Sequence, residues 1–205
     1  MKVLPKVYDQ PGIRAMIDTM FGDAESWNGE RSFQLFVSPY DPDAEPKLSE
    51  QGHIDFVECP IPALGSGFMF QVSLVQSEPF SGNITIYPGM HKIIQKLVMD
   101  DPEWRYPTNM DMVPVVEPYE FVAEPGDVML FHHLVLHDGN ANHATNRSPR
   151  VVIHAQALHQ HWLQQSYGDL TNRSPWERSL SLNGEWHPPW SEQKRIEDFR
   201  AQRNK

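Results

Sequence analysis

The sequence has a single cysteine, Cys59, so no disulfide can form within the chain and no zinc site can be built from cysteines. That usage fits a reducing compartment, and Cys59, between Glu58 and Pro60, reads as a packing residue. There is no excess of positive charge. Seventeen Lys and Arg face 27 Asp and Glu, a net charge of −10, which argues against nucleic-acid and anionic-membrane partners because little would neutralise phosphates. No apolar run approaches the ~18 residues of a membrane span, and the opening residues Met1 to Tyr8 carry no apolar core of signal-peptide length. The expectation is a soluble, cytoplasmic protein. Gly-x-Gly-x-x-Gly, Walker A and Gly-x-Ser-x-Gly patterns are all missing, which removes local support for nucleotide binding and serine hydrolysis. Internal repeats and low-complexity segments are missing too.

What the chain does contain is 18 prolines and 10 histidines in 205 residues. Its length suits one domain over 1–205, with the motifs concentrated in a core of about 50–160 and an extension at 163–205. Ile13, Met16, Ile17, Met20 and Phe21 share one helical face, with Asp9 as N-cap and Gly22 as stop. Beyond that helix the pattern turns to strands. Phe33 to Val37 reads as a strand ended by the proline-studded loop 38–46. The runs 68–75 and 83–87, separated by Glu78-Pro-Phe-Ser-Gly, predict a hairpin, and 90–99 predicts a short helix. From Tyr119 the pattern gives a strand, a Pro-Gly-Asp turn and an apolar strand ending at His137, and Arg150 to Leu158 gives another strand. After Trp162 the chain is polar and irregular until a helix opening at Ser191. Short strands, Pro/Gly turns and peripheral helices together predict a β-barrel or double-sheet jelly roll.

The residues that could carry chemistry fall into a few groups. His53-Ile54-Asp55 offers an imidazole and a carboxylate at i and i+2, the same face of a strand. His137 would complete a two-histidine, one-carboxylate set, which covers one face of an octahedral Fe(II) and leaves three adjacent positions open. Arg150 is a fixed cation able to grip a carboxylate bidentately. Each has rivals. Strand alternation from Phe131 puts His133 and His137 on one interior face and turns His132 away, and His137 is preferred for its place beside Asp138-Gly-Asn. His154 shares the Arg150 face, His159 and His161 have a spacing suited to zinc, and Arg147 competes with Arg150 as the anion binder. Ordinary hydrogen-bonded histidines are the commoner outcome for His154, His159 and His161.

Gln71-Val-Ser-Leu-Val, Ser81-Gly-Asn-Ile-Thr-Ile-Tyr-Pro-Gly-Met-His-Lys, and Glu124-Pro-Gly-Asp through His137, Asn142 and Arg150 carry a resemblance. They are similar to motifs of the phytanoyl-CoA dioxygenase family of Fe(II)- and 2-oxoglutarate-dependent oxygenases, over about His53 to Gln156. The sequence departs from the family at Met90, where the family usually has Ser. The resemblance implies a mainly β fold, a double-stranded β-helix of the jelly-roll, cupin-like kind with peripheral helices. It implies His53, Asp55 and His137 as iron ligands, and Arg150, Gln71 and Asn142 as contacts for 2-oxoglutarate. It further implies O2 as co-substrate and a small-molecule substrate hydroxylated at an unactivated C–H bond, with release of succinate and CO2. Asp55 separates the chain from the halogenating branch of such enzymes, in which a small residue replaces the carboxylate. The alternative is a cupin-like metal-binding module, or a metalloenzyme that does not use 2-oxoglutarate, on the same barrel.

Overall fold

The computed structural model describes residues 4–27, 29, 32–55, 67–94 and 114–158. Cys59, the tail of the helix expected at 90–99, His159, His161 and the extension at 163–205 lie outside them. Among the described residues no helix is long and apolar enough to cross a membrane.

A 3-10 turn, Leu4–Asp9, leads into α1, Pro11–Phe21. The N-cap is Gln10, not Asp9, and it makes no side-chain capping bond. Pro11 explains the shift: it presets φ at the first helical position, where a missing N–H costs nothing. Gly22 ends the helix in the left-handed region at φ 90°, its N–H on the carbonyl of Asp18. Ile13, Ile17 and Phe21 are the buried face.

The strands are β1 (Phe33–Ser38), β2 (Gly67–Ser73), β3 (Ile84–Ile86), β4 (Tyr119–Glu120), β5 (Val128–His132), β6 (His137–Gly139) and β7 (Arg150–Leu158). They form two antiparallel sheets, ordered β1-β7-β2-β5 and β4-β3-β6. Two expectations fail here. The runs around 68–75 and 83–87 are no hairpin, because β2 is flanked on both edges by β7 and β5 and has no edge left for β3. Nor does one apolar strand run to His137. It stops at His132 in a turn closed by Leu134 N donating to His132 Nδ1 (2.9 Å) and Val135 N to His132 O (2.8 Å), and His137 opens β6 in the other sheet. The alternation argument for 131–137 therefore does not apply.

Strand alternation still sorts the two faces of the larger sheet. Phe68, Phe70, Ile153, Ala155 and Ala157 pack on Tyr8, Ile17, Phe21 and Trp27. Tyr8 stacks on Trp27 at 5.5 Å, and its hydroxyl lies 2.7 Å from Gln156 O, fastening the N-terminal layer to β7. The opposite face carries Met69, Met129 and Phe131, which meet Ile84 of the smaller sheet. Ile54, Tyr87, Met90, Ile93, Ile94, Leu134 and Leu136 form a separate cluster.

Gly67 allows the closest approach of β2 to β7, since a Cβ there would stand 2.0 Å from Ala157 O. Gly67→Ala is expected to lower the free energy of urea unfolding by at least about 1–3 kcal/mol, whereas Gly12→Ala, on the open side of α1, leaves it unchanged or slightly raised. Equal effects at the two positions would contradict this packing. Burial pushes the His91 imidazole down to about 4, with Lys92 and His133 adding to the effect. Between the ordinary value near 6.5 and about 4, the unfolded chain holds the extra proton, so stability drops as pH falls through that window. Urea midpoints measured from pH 7 to pH 5 are expected to fall, less steeply in His91→Gln.

Candidate metal centre and ligand cavity

His53 and His137 are joined by a reciprocal backbone pair: His53 N donates to His137 O at 2.9 Å, and His137 N donates to His53 O at 3.0 Å. This isolated antiparallel bridge, rather than a strand through 53–55, brings the two rings to 4.4 Å. Asp55 follows in a bend, with its N–H on the carbonyl of His133 at 3.3 Å. The candidate ligand atoms of His53, Asp55 and His137 all lie within 4.8 Å of one another.

Local bonding sets the protonation of this group. His137 Nδ1 is 2.9 Å from Val135 O, and a carbonyl only accepts, so Nδ1 carries the proton and Nε2 presents its lone pair. Burial pushes the His137 imidazole below its usual value and favours the neutral ring, while the Asp55 carboxylate pulls the other way. Asp55 Oδ2 stands 3.5 Å from that Nε2, too far for a hydrogen bond. Asp55 Oδ2 and His53 Nδ1 are buried without hydrogen-bond partners among the described residues. Buried acceptors of this kind are costly unless something satisfies them, and a divalent cation shared by one carboxylate and two imidazoles does so. The residues present thus fit a metal ion.

Beside this group lies a cavity of about 540 Å³, walled by both sheets. Arg150 opens β7 on that wall and is 7% exposed. Its Nη2 donates to Gln71 Oε1 at 2.5 Å, and among the described residues no carboxylate lies within ion-pair distance of it. Burial lowers its pKa to about 10, opposed by Glu120, so it stays a cation at neutral pH. Gln71 is itself buried on the cavity wall.

The other sequence candidates separate. Asn142 is off the cavity wall: its Nδ2 donates to Ser38 O (2.8 Å) and Ser148 O (2.9 Å), and its Oδ1 accepts from Ala144 N (2.9 Å). It braces the loop that delivers Arg150. Arg147 is exposed, with its guanidinium 5.6 Å from the Tyr40 ring, away from the cavity. His132 does not face away from the interior; it is buried, as is His133, whose Nδ1 is 3.0 Å from Gly67 O. His154 does line the cavity, with burial pushing its imidazole down to about 4. Sequence reasoning missed Gln34, Phe36 and Ser38 of β1, which also line it. Their signal was the i, i+2, i+4 spacing along a strand, uninformative until the partner face is known.

No family model matches the chain, and no curated protein matches it. Solved structures do. They include the non-heme monooxygenase ThoJ in its apo form, with a TM-score of 0.54 and 14% identity over 77% of this chain and 58% of that one. EvdO2 from Micromonospora carbonacea var. aurantiaca, complexed with 2-oxoglutarate, has a TM-score of 0.53 and 16% identity over 77% of this chain and 64% of that one. The epimerase SnoN, in complex with Fe3+, α-ketoglutarate and nogalamycin RO, has a TM-score of 0.50 and 17% identity over 91% of this chain and 67% of that one. The chain spans about three fifths of these proteins' length. It has the fold of non-heme 2-oxoglutarate-dependent enzymes. In that fold it carries a His-Asp-His group able to hold a metal.

Loss of a ligand is expected to cost more than the roughly 10–100-fold typical of the groups that orient ligands. His53→Ala, Asp55→Ala and His137→Ala should each weaken Mn2+ binding by at least about 100-fold in calorimetric titration, and affinity should fall with pH as the ligands protonate. Unchanged affinity in Asp55→Ala would contradict the assignment.

Proposed function

We propose that the protein is an Fe(II)- and 2-oxoglutarate-dependent oxygenase on a jelly-roll barrel. It oxidises an unactivated C–H bond of a small molecule, by hydroxylation in the simplest case, and releases succinate and CO2. The observation that carries this reading is Arg150. It is a buried cation with no carboxylate partner among the described residues, on the wall of the cavity that holds His53, Asp55 and His137. A metal-binding module has no use for such a group, since a buried charge without a counter-ion is destabilising. A dicarboxylate bound at one end by a metal and at the other by Arg150 supplies the counter-ion.

The roles of the side chains follow. His53, Asp55 and His137 would hold the iron, with two neutral rings and one carboxylate leaving a net charge of +1 that attracts a dianion. When bound, iron with 2-oxoglutarate and O2 supplies the oxidising chemistry. Val135 O fixes the tautomer of His137, and the His133 backbone holds Asp55. Gln71 steers the guanidinium while leaving its charge intact, and Asn142 acts at one remove by bracing the loop before Arg150. Met69 and Ile84 form apolar wall. The resemblance to the phytanoyl-CoA dioxygenase family rests on the motifs quoted above, and a cytoplasmic setting on the single cysteine.

At 100 times its dissociation constant, 2-oxoglutarate should stabilise the Fe(II)-loaded protein by about 2.7 kcal/mol, raising its melting temperature by roughly 5–11 °C. Arg150→Ala should abolish the shift. So should Gln71→Glu, because the new carboxylate would neutralise Arg150 from within. A full shift in Gln71→Glu, measured anaerobically by differential scanning fluorimetry, would sink the proposed role of Arg150.

A further inference from the structure

We infer that the molecule oxidised at this site is uncharged and ring-bearing, seated against Phe36, with a hydroxyl or carbonyl oxygen hydrogen-bonded to His154. This rests on the oxygenase reading and adds the chemical class of the substrate.

His154 lies in the middle of β7, paired with Gln34 of β1 on one side and Gln71 of β2 on the other. It lines the cavity but stands outside the group whose ligand atoms lie within 4.8 Å of one another. The rings of Phe36 and Phe131, at 5.7 and 5.8 Å, flank its imidazole. Its Nε2 is buried and has no hydrogen-bond partner among the described residues. A neutral imidazole offers one donor and one acceptor, so an orphaned Nε2 beside a reaction cavity is matched by a ligand oxygen that can accept or donate.

Phe36 supplies the apolar surface. It lies on the edge strand of its sheet and is 43% exposed, yet it belongs to the cavity wall with Phe33, Met69 and Ile84. An aromatic side chain left half-open at a cavity rim is a stacking face for a ring.

Charge decides the rest. Among the described lining residues, Asp55 and Arg150 are the charged groups, and the other polar ones are Ser32, Gln34, Ser38, Gln71, Gln156 and the histidines. Once a divalent cation and the 2-oxoglutarate dianion are added, the charges of the site cancel. A carboxylate, phosphate ester or ammonium on the substrate would find no unmatched counter-charge among these described lining residues, which disfavours it.

The test uses probes of one skeleton, 2-naphthol, naphthalene and 2-naphthoate, titrated calorimetrically into protein loaded anaerobically with Fe(II) and 2-oxoglutarate. The expected result is that 2-naphthol binds at least tenfold more tightly than either of the others. In His154→Ala its affinity should fall to that of naphthalene, while naphthalene itself binds as before, which also reports an intact cavity. His154→Gln, which keeps a hydrogen-bonding amide, should recover part of the loss. Tighter binding of 2-naphthoate, no binding of 2-naphthol, or undiminished 2-naphthol affinity in His154→Ala would overturn the inference. So would a loss of metal affinity in His154→Ala, which would make His154 a ligand. Failure of the wild-type protein to bind 2-oxoglutarate, read by its own titration beforehand, would instead overturn the oxygenase reading beneath it.

Discussion

The reciprocal backbone pair between His53 and His137 is the contact on which the candidate site depends. Neither residue lies in a long strand, and 83 residues separate them in the chain. Without those two hydrogen bonds, 2.9 and 3.0 Å long, the rings have no reason to meet and Asp55 no fixed place beside them. The bridge is possible because the chain leaves β5 at His132, turns, and enters the smaller sheet at His137. Gly52 permits the approach from the other side, since a Cβ there would press on Leu136 Cγ at 2.8 Å.

The larger sheet supplies a complementary half. One face is closed by α1 and the Tyr8–Trp27 stack, which leaves the other free to display Arg150, His154 and Gln71 toward the metal group. Among the described residues the Arg150 guanidinium is buried against an amide with no carboxylate at ion-pair distance, an arrangement that costs stability unless a counter-ion is supplied. Gln71 is what makes this arrangement specific. It accepts one hydrogen bond from Arg150 and cancels none of its charge. The cavity therefore has a cationic end at Arg150 and, with a divalent ion bound, a second at the His-Asp-His group.

Much of this was legible in the sequence, though unevenly. The helical face of α1, the Gly22 stop and the β7 strand follow from local periodicity, and the structure reproduces them. The grouping of His53, Asp55 and His137 was reached from motif order, although the strand-alternation argument offered for it was wrong: a bridge and a bend do the work. The expected hairpin failed because which edge a strand pairs with is decided by distant segments, here β7 and β5, rather than by the turn that follows it. The turn at 133–135 carries no Gly or Pro and is closed by the His132 side chain and backbone, so an apolar run hid it. Asn142 stands close to Arg150 in sequence but faces the loop, a distinction that spacing cannot make.

The account's central claim is that one molecule of 2-oxoglutarate joins the metal group to Arg150. The most direct measurement is the anaerobic visible spectrum of the Fe(II)-loaded protein as 2-oxoglutarate is added, compared with the same titration using pyruvate, which has the chelating end but no distal carboxylate. The account predicts a metal-to-ligand charge-transfer band that saturates at far lower 2-oxoglutarate than pyruvate, with the preference erased in Arg150→Ala. Iron binding with no such band, or equal affinity for the two acids in the wild-type protein, would contradict it.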